Sequence, residues 1–374
     1  MSLCGHLSTA LAQIDPNPRS LLQLGLDQSL SGQGPNSLYA YYYYNRPGFL
    51  RTNVTLRLAV APVYFDGEIG FRQLLSPNSD LGIGISGGGF GENYYEVREG
   101  HYLRGESFEG HGGGGSLKLY HRINPNQRIP LSAVLQGGAH YSTYSRADDT
   151  DDAFQLPDSH TTPFTRIGLR YAGKEPMLYP DLAMEVSIWA ERQWRLDKSS
   201  YGYQEDRRVQ STTDLYWLYA GLNYAWTNTG HQLAVGVTAG GSQSADRLNA
   251  WRLGGVLPLA SEFPLTLPGY YYQEISARRF AHLSTTYVLP LSHDHRWQLR
   301  LNAAAAHVDP ISGLQQRLHW HSGVGPGLSY TSRSKVWRVI LRYGYAFTAV
   351  RDNGKGAQSV GLLMQHDFER HKPQ

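Results

Sequence analysis

The chain has one cysteine, Cys4, so no disulfide can form within it and whatever holds the fold is not a covalent staple. Long apolar runs are missing as well. No window approaches ~18 consecutive apolar residues, which excludes a membrane-spanning helix but not strands that meet lipid on one side only. Charge of one sign is scarce: the formal net charge is +3 and no basic run interleaves with aromatics, so nucleic acid is not an expected partner. Methionine numbers only four, against 41 glycines and 26 tyrosines. Stretches rich in Ala, Leu, Glu and Lys at helical spacing are hard to find, so strands must dominate.

Period-2 alternation recurs along almost the whole chain. Trp337, Val339, Leu341, Tyr343, Tyr345 and Phe347 share one face of a segment whose other face carries Arg338, Ile340, Arg342, Gly344 and Ala346. Leu182, Met184, Val186, Ile188 and Ala190 alternate in the same way with Ala183, Glu185, Ser187, Trp189 and Glu191. Several segments reach roughly 10 residues, longer than the ~5 or 6 of a soluble sandwich and enough to cross a bilayer at a tilt. Aromatic residues gather at segment ends, as interfacial girdles require: the run Tyr39 to Tyr44, then Tyr171, Trp194, Tyr216, Trp226, Tyr287, Trp297, Tyr330 and Trp337.

About sixteen strands are expected, near 21–30, 37–45, 52–63, 68–74, 80–89, 113–122, 131–142, 163–172, 181–193, 214–226, 231–242, 278–291, 295–307, 319–331, 336–348 and 357–368. The long insertions 90–112, 143–162, 194–213 and 243–277 all follow odd-numbered strands, so they share one side of a closed barrel. One exception is Phe65-Asp66-Gly67-Glu68, which reads as a tight hairpin on that same side. The Gly112 to Gly115 run is not followed by Lys-Ser/Thr, so it reads as a flexible loop base and not as a phosphate cradle. The expected fold is all-β: a transmembrane, antiparallel, up-and-down β-barrel over 21–368. Before it come a truncated signal-peptide-like segment at 1–12 and a short periplasmic stretch at 13–20; a tail at 369–374 follows.

The connection between the eleventh and twelfth strands is the longest in the chain, yet Leu253, Val256, Leu257, Leu259, Phe263, Leu265 and Leu267 make it too apolar for a solvated linker. It is expected to fold against or into the barrel mouth. Within it stand Arg252-Leu253-Gly254-Gly255 and Leu267-Pro268-Gly269-Tyr270, and the chain ends its last strand with Gly361, Met364, His366 and Phe368. These elements, with the strand Ser276 to Leu291, resemble the superfamily of sixteen-stranded outer-membrane barrels that includes the assembly factor BamA, its relative TamA, the secretion transporter FhaC and the patatin-fused secretion barrels. The likeness is best over 248–368.

That resemblance implies a Gly-Gly element and a loop tip inside the barrel, and a C-terminal assembly signal read by the barrel assembly machinery. It also implies a role in moving or inserting polypeptide at the bacterial outer membrane. The seam between Leu21–Leu30 and Gly356–Phe368 would open, with Gly25 and Gly361 weakening its packing. Three departures stand out. Pro268 replaces the family's tip arginine, Leu301-Asn302-Ala303-Ala304-Ala305-Ala306 lacks the aspartate that would hold it, and only some twenty residues precede the barrel where the family has POTRA domains. With both halves of a buried ion pair gone together, packing is expected to hold the loop. Recruitment is then expected to fall to a separate periplasmic or surface protein.

Other chemistry is thinly supported. Arg57, Lys118, Arg166, Arg170, Arg300, Arg338 and Arg342 lie on polar strand faces and would line the lumen, either favouring anionic solutes or pairing with acids from loops. Asp148 to Asp152 lacks Ca²⁺-loop spacing and reads as solvated. His319 and His321 share a strand face without a third metal ligand. His282 with Ser284, and His321 with Ser322, lack a third member to orient a base, so neither a catalytic group nor a cofactor is expected. Two other readings remain open: a passive pore for small anionic solutes, and an outer-membrane lipid hydrolase.

Overall fold

Alternation at period 2 decides which side chains face in and which face out, and here it builds one wall closed on itself. The computed structural model describes residues 14–369 apart from 16, 63, 89–91, 124–130, 173–183, 197–198, 227, 259–263, 315, 317 and 353. The expected segment at 1–12, with Cys4, and the end of the tail lie outside the described residues. Sixteen strands make the wall: β1 Arg19–Ser29, β2 Ser37–Pro47, β3 Val54–Ala61, β4 Tyr64–Ser76, β5 Ser79–Gly87, β6 Phe108–Arg122, β7 Leu131–Arg146, β8 His160–Ala172, β9 Met184–Trp194, β10 Thr212–Ala225, β11 Gln232–Gln243, β12 Ile275–Pro290, β13 Trp297–Pro310, β14 Trp320–Thr331, β15 Trp337–Arg351 and β16 Gly354–Asp367. Each pairs antiparallel with the next, and β1 pairs with β16 from Leu21↔Asp367 to Ser29↔Ser359. Among the described residues every strand of the wall is paired on both sides, so the sheet has no free edge. Two short strands, Glu92–Tyr94 and Trp251–Leu253, extend the ladders of β6 and β12.

Two local expectations are corrected. Phe65 to Glu68 is not a turn: it lies in β4 opposite Val60 to Arg57, and the innermost pair of the hairpin is Ala61 with Tyr64. The acids in that stretch are needed on the inner face, where Asp66 and Glu68 stand 2.6 and 3.6 Å from Arg57. Gly112 to Gly115 is not a loop base either, because it pairs with β7 on one side and, from Gly113, with β5 on the other. A Cβ on Gly112 or Gly114 would strike the β7 carbonyls of Tyr141 and Ala139, so glycine lets these strands pass closely.

Outside, the wall presents bare apolar side chains: Ile83, Ile188, Leu283 and Leu341 are each about half exposed. Trp226, Trp297 and Trp337 are exposed at the short-turn rim, and Trp320 and Phe347 toward the other. The tyrosine run divides between the two faces. Tyr43 is buried and Tyr41 lines the lumen, whereas Tyr42 meets the ring of Phe368 at 6.3 Å.

The long connections do share one end. Those at 88–107, 147–159 and 195–211 pack into a cap over Phe108, with Phe154, Tyr201 and Val209 buried together. Glu96 and Glu106 hold Arg98 and Arg207 within the cap, and Arg247 stands 3.5 Å from Glu96. Burial pushes the Arg207 guanidinium down to about 10, against the opposing pull of Glu96. Across the mouth, His101 Nδ1 lies 3.2 Å from Asp352 in the β15–β16 turn.

Candidate functional site: a loop docked across the barrel seam

The connection 244–274 turns back into the barrel, and its conformation starts with the two adjacent glycines. Gly254 and Gly255 adopt φ of +134° and +86°, a region that side chains disfavour, and a Cβ on Gly254 would collide with the Tyr271 carbonyl. The two ends of the loop thereby meet: Gly254 N donates to Leu265 O and Leu267 N to Gly255 O, both at 3.0 Å. Arg252-Leu253-Gly254-Gly255 and Leu267-Pro268-Gly269-Tyr270 are thus brought side by side. Arg252 itself points away from the tip and donates to the carbonyls of Tyr95 (2.9 Å) and Arg247 (3.1 Å), joining the loop to the cap.

The stretch after the Gly-Gly element sits on the seam. Asp27, on the inner face of β1, accepts hydrogen bonds from Val256 N (2.6 Å) and Leu257 N (3.2 Å). Its register partner on β16 is Gly361. There the missing side chain is what matters, because a Cβ would lie 2.6 Å from Val256 Cγ1 and 2.8 Å from Leu257 Cγ. Arg342 of β15 donates to the Val256 carbonyl (3.1 Å), and Val256 and Leu257 are buried with Ile340 and Leu363 against Tyr39 of β2. One short piece of loop therefore touches β15, β16, β1 and β2. Met364, His366 and Phe368 lie on the other face of the seam, with Met364 opposite Leu24. The seam itself is fully laddered, and Gln23 Nε2 adds a side-chain bond to Gln365 (3.2 Å).

The tip lies on a floor of small residues. A Cβ on Gly323 of β14 would meet the Pro268 carbonyl and one on Gly344 of β15 the Gly269 amide, while Ala346 and Ala357 are buried beneath. Gly269 N donates to Ser359 Oγ (3.0 Å), and the Tyr270 hydroxyl reaches Thr348 Oγ1 (2.9 Å) and His321 Nδ1 (3.1 Å). Burial pushes the Tyr270 phenol above its usual range. His282 Nε2 bonds the Thr266 carbonyl (2.8 Å), and Ala304 and Ala306 make room for Leu267. The alanine run that replaces the expected aspartate thus serves as packing surface.

Packing was expected to hold the loop, but an ion pair fastens it as well. Arg351 of β15 grips Glu274 with two contacts of 2.8 Å, its guanidinium lies 3.7 Å from the centre of the Tyr271 ring, and its Nε donates to Ser31 O (3.2 Å) beyond β1. Asp27, Glu274 and Arg351 were missed from sequence. The available signal was Asp27, an acid on the inward face of a strand whose outward face reads Leu22, Leu24, Leu26.

The basic residues separate into two groups. Glu68 leans over Gly82 to reach Lys118 (2.6 Å) while also facing Arg57; Arg166 meets Glu191 at 2.6 Å and Arg170 meets Glu185 at 3.0 Å. The partners come from strands and not from loops: Arg57, Arg166 and Arg170 use an adjacent strand, whose inner face is within side-chain reach, and Glu68 reaches Lys118 two strands away across Gly82 of β5. Arg300 is buried on the inner face and Arg338 lies on the same side as Arg342, which serves the loop. His319 and His321 diverge: His319 is exposed and stacks on His307 (6.1 Å), while His321 is buried against the tip. Among the described residues no three His, Cys, Asp or Glu side chains gather as metal ligands. Both candidate bases are occupied elsewhere, since His282 and His321 bond to the loop, and Ser322 lies on the opposite face of β14 from His321. In the cap, Asp149 meets Arg104 (3.1 Å), and Asp151 accepts from Ala153 N (2.9 Å) and the Tyr203 hydroxyl (3.0 Å).

Three solved structures align with almost the whole chain. CdiB from Acinetobacter baumannii matches with a TM-score of 0.61 and 13% identity, over 94% of this chain and 60% of its own. The fold is that of the CdiB and BamA barrels. BamA from Haemophilus ducreyi lacking POTRA domains 1–3 gives 0.59 and 10% over 94% and 71%, and CdiB from Escherichia coli 0.58 and 15% over 95% and 64%. The chain spans about three-fifths of the length of the first CdiB. No family model matches the sequence, and no curated protein does. The BamA-type fold reaches well before residue 248, where likeness by sequence was weak.

Proposed function

We propose that the chain is an outer-membrane β-barrel that moves or inserts polypeptide, with the loop 244–274 acting as a latch on the β1–β16 seam. The observation that carries this reading is the docking of Val256 and Leu257 on the paired residues Asp27 and Gly361. A seam that opened would expose two strand edges able to pair with an incoming extended segment. The latch must leave for that to happen, so substrate and loop compete for one inner surface. The bare apolar wall supports placement in a membrane. A separate periplasmic or surface partner supplies recruitment, and stoichiometric co-purification from native membranes is the measurement that detects it. The passive-pore reading is the weaker one, because ion pairs at Glu68, Glu185 and Glu191 line one side of the lumen and the loop occupies the other.

The test joins Leu24→Cys to Met364→Cys, register partners on the seam, in a Cys4→Ser background. Reduced protein in phospholipid vesicles should accelerate the folding of a small outer-membrane barrel protein, and the oxidised form should not. Equal acceleration in both forms, or in neither, overturns the reading. A large steady conductance unchanged by deleting 256–274 would favour the pore.

A further inference from the structure

The outer wall carries a cationic cluster at the head of an apolar groove, and the seam latch uses neither. In β12 the register slips between Ala277 and Arg279, a bulge that leaves Arg278 and Arg279 both exposed. Arg278 takes the Asp309 carboxylate through Nη2 (2.7 Å) and Nε (3.2 Å). Arg279 is the register partner of that same aspartate yet has no ion pair among the described residues. Its stem leans over Gly241 of β11, where a Cβ would lie 3.5 Å from Arg279 Cγ. Beside it, exposed His307 stacks on His319 and meets the edge of Trp320 at 4.9 Å.

Register gives the depth. Trp297 and His307 share the outward face of β13 about ten residues apart, so at ~3.4 Å per residue and a tilt of ~40° they stand roughly 25 Å apart along the barrel axis. That is the height of an apolar band, with Trp297 at the short-turn rim and His307 at the long-loop rim. The groove has a volume of about 510 Å³ and is lined by residues such as Ile167, Ile188, Tyr216, Leu218 and Gly241. Tyr216, Gly241 and Arg279 are successive register partners, so Arg279 stands on the strand beside the groove's Gly241 edge. The adjacent cross-strand row starts at Trp320, the first residue of β14, and reaches Leu169 near the end of β8. The groove therefore descends from the long-loop rim into the apolar band.

We infer that this is a binding site for a phosphorylated glycolipid of the outer leaflet, of the lipid A class, with its phosphate on Arg279 and one acyl chain in the groove. Asp309 neutralises Arg278 and leaves the planar guanidinium of Arg279 free to take a phosphate through paired N–H groups. Gly241, Ala239 and Ala190 leave the width of a chain between Ile188, Leu218 and Tyr216. The inference rests on the membrane placement proposed above.

The full chain in detergent micelles would be titrated with hexa-acyl bisphosphorylated lipid A, phosphatidylcholine or inorganic phosphate and read by native mass spectrometry, with a heat-modifiable gel band confirming that each variant is folded. Lipid A should be retained at least tenfold over phosphatidylcholine. Arg279→Ala should lower that retention at least tenfold, Arg279→Lys less, and Ala239→Leu, whose register partner is Ala281 and not Arg279, should lower it by obstructing the groove. Retention unchanged in Arg279→Ala, or equal for both lipids, overturns the site. Inorganic phosphate that competes fully with lipid A, with Ala239→Leu behaving as wild type, overturns the lipid assignment and leaves a bare phosphate site. Quenching of wall tryptophans by brominated lipid keeps the two levels apart. Quenching without lipid A preference sinks this inference alone, whereas absence of quenching sinks the membrane placement beneath it.

Discussion

The two halves of the barrel fill their interiors by different means. Around β3 to β9 the wall fills itself: Arg57 and Lys118 share Glu68, Arg166 meets Glu191, Arg170 meets Glu185, and a cavity of about 480 Å³ remains between them. From β12 round to β2 many inward residues are small, Gly323, Gly344, Ala304, Ala306, Ala346 and Ala357 among them, and the loop occupies the space they leave. A wall lined with glycine and alanine cannot cover its own interior. Its packing must be supplied by something that can also be withdrawn, and the closing seam of the barrel lies in that half.

The sharpest way to break this contrast is to remove the ion pair that fastens the loop. Arg351→Ala leaves Glu274 buried without its partner, and such a loss typically costs about 3–5 kcal/mol. Urea unfolding in phosphocholine vesicles should show a destabilisation of that order. Asp27→Ala comes next. It removes the acceptor of two amide hydrogen bonds made to a charged group, for about 2–3 kcal/mol. Hydrogen exchange at Val256 and Leu257 should accelerate while β3 to β9 keep their protection. If protection falls equally in both halves, the division is wrong.

The strands were legible because lipid-facing and lumen-facing residues must alternate, and sixteen such segments with long insertions on one side leave few other closures. Segment ends were less so. Phe65 to Glu68 has the residues of a turn, but cross-strand pairing of its acids with Arg57 extends β4 through it. The Gly-Gly element and the tip could be read because glycine at Gly254, Gly255 and Gly269 answers a backbone need that is local. What sequence could not supply was the fastening. Glu274 and Arg351 are separated by the whole of β12 to β15, and Asp27 meets Val256 only because the barrel closes. Such pairs depend on register and not on spacing.

Two substitutions separate the halves at smaller cost. Gly323→Ala places a methyl group against the Pro268 carbonyl, so the tip must shift; overpacking of this kind costs about 1–3 kcal/mol, and exchange at the Gly269 and Tyr270 amides reports it. Lys118→Met tests the other half and should do least. Glu68 keeps Arg57 at 3.6 Å and the Tyr120 hydroxyl at 3.1 Å, so its charge is not abandoned, and the loss should stay below about 1.5 kcal/mol. Amide exchange at Val256 should not move, because among the described residues no contact links Glu68 to the loop across the lumen. Were Lys118→Met to loosen the latch as much as Asp27→Ala does, the lumen would be one coupled network and the seam could be released from either side of it.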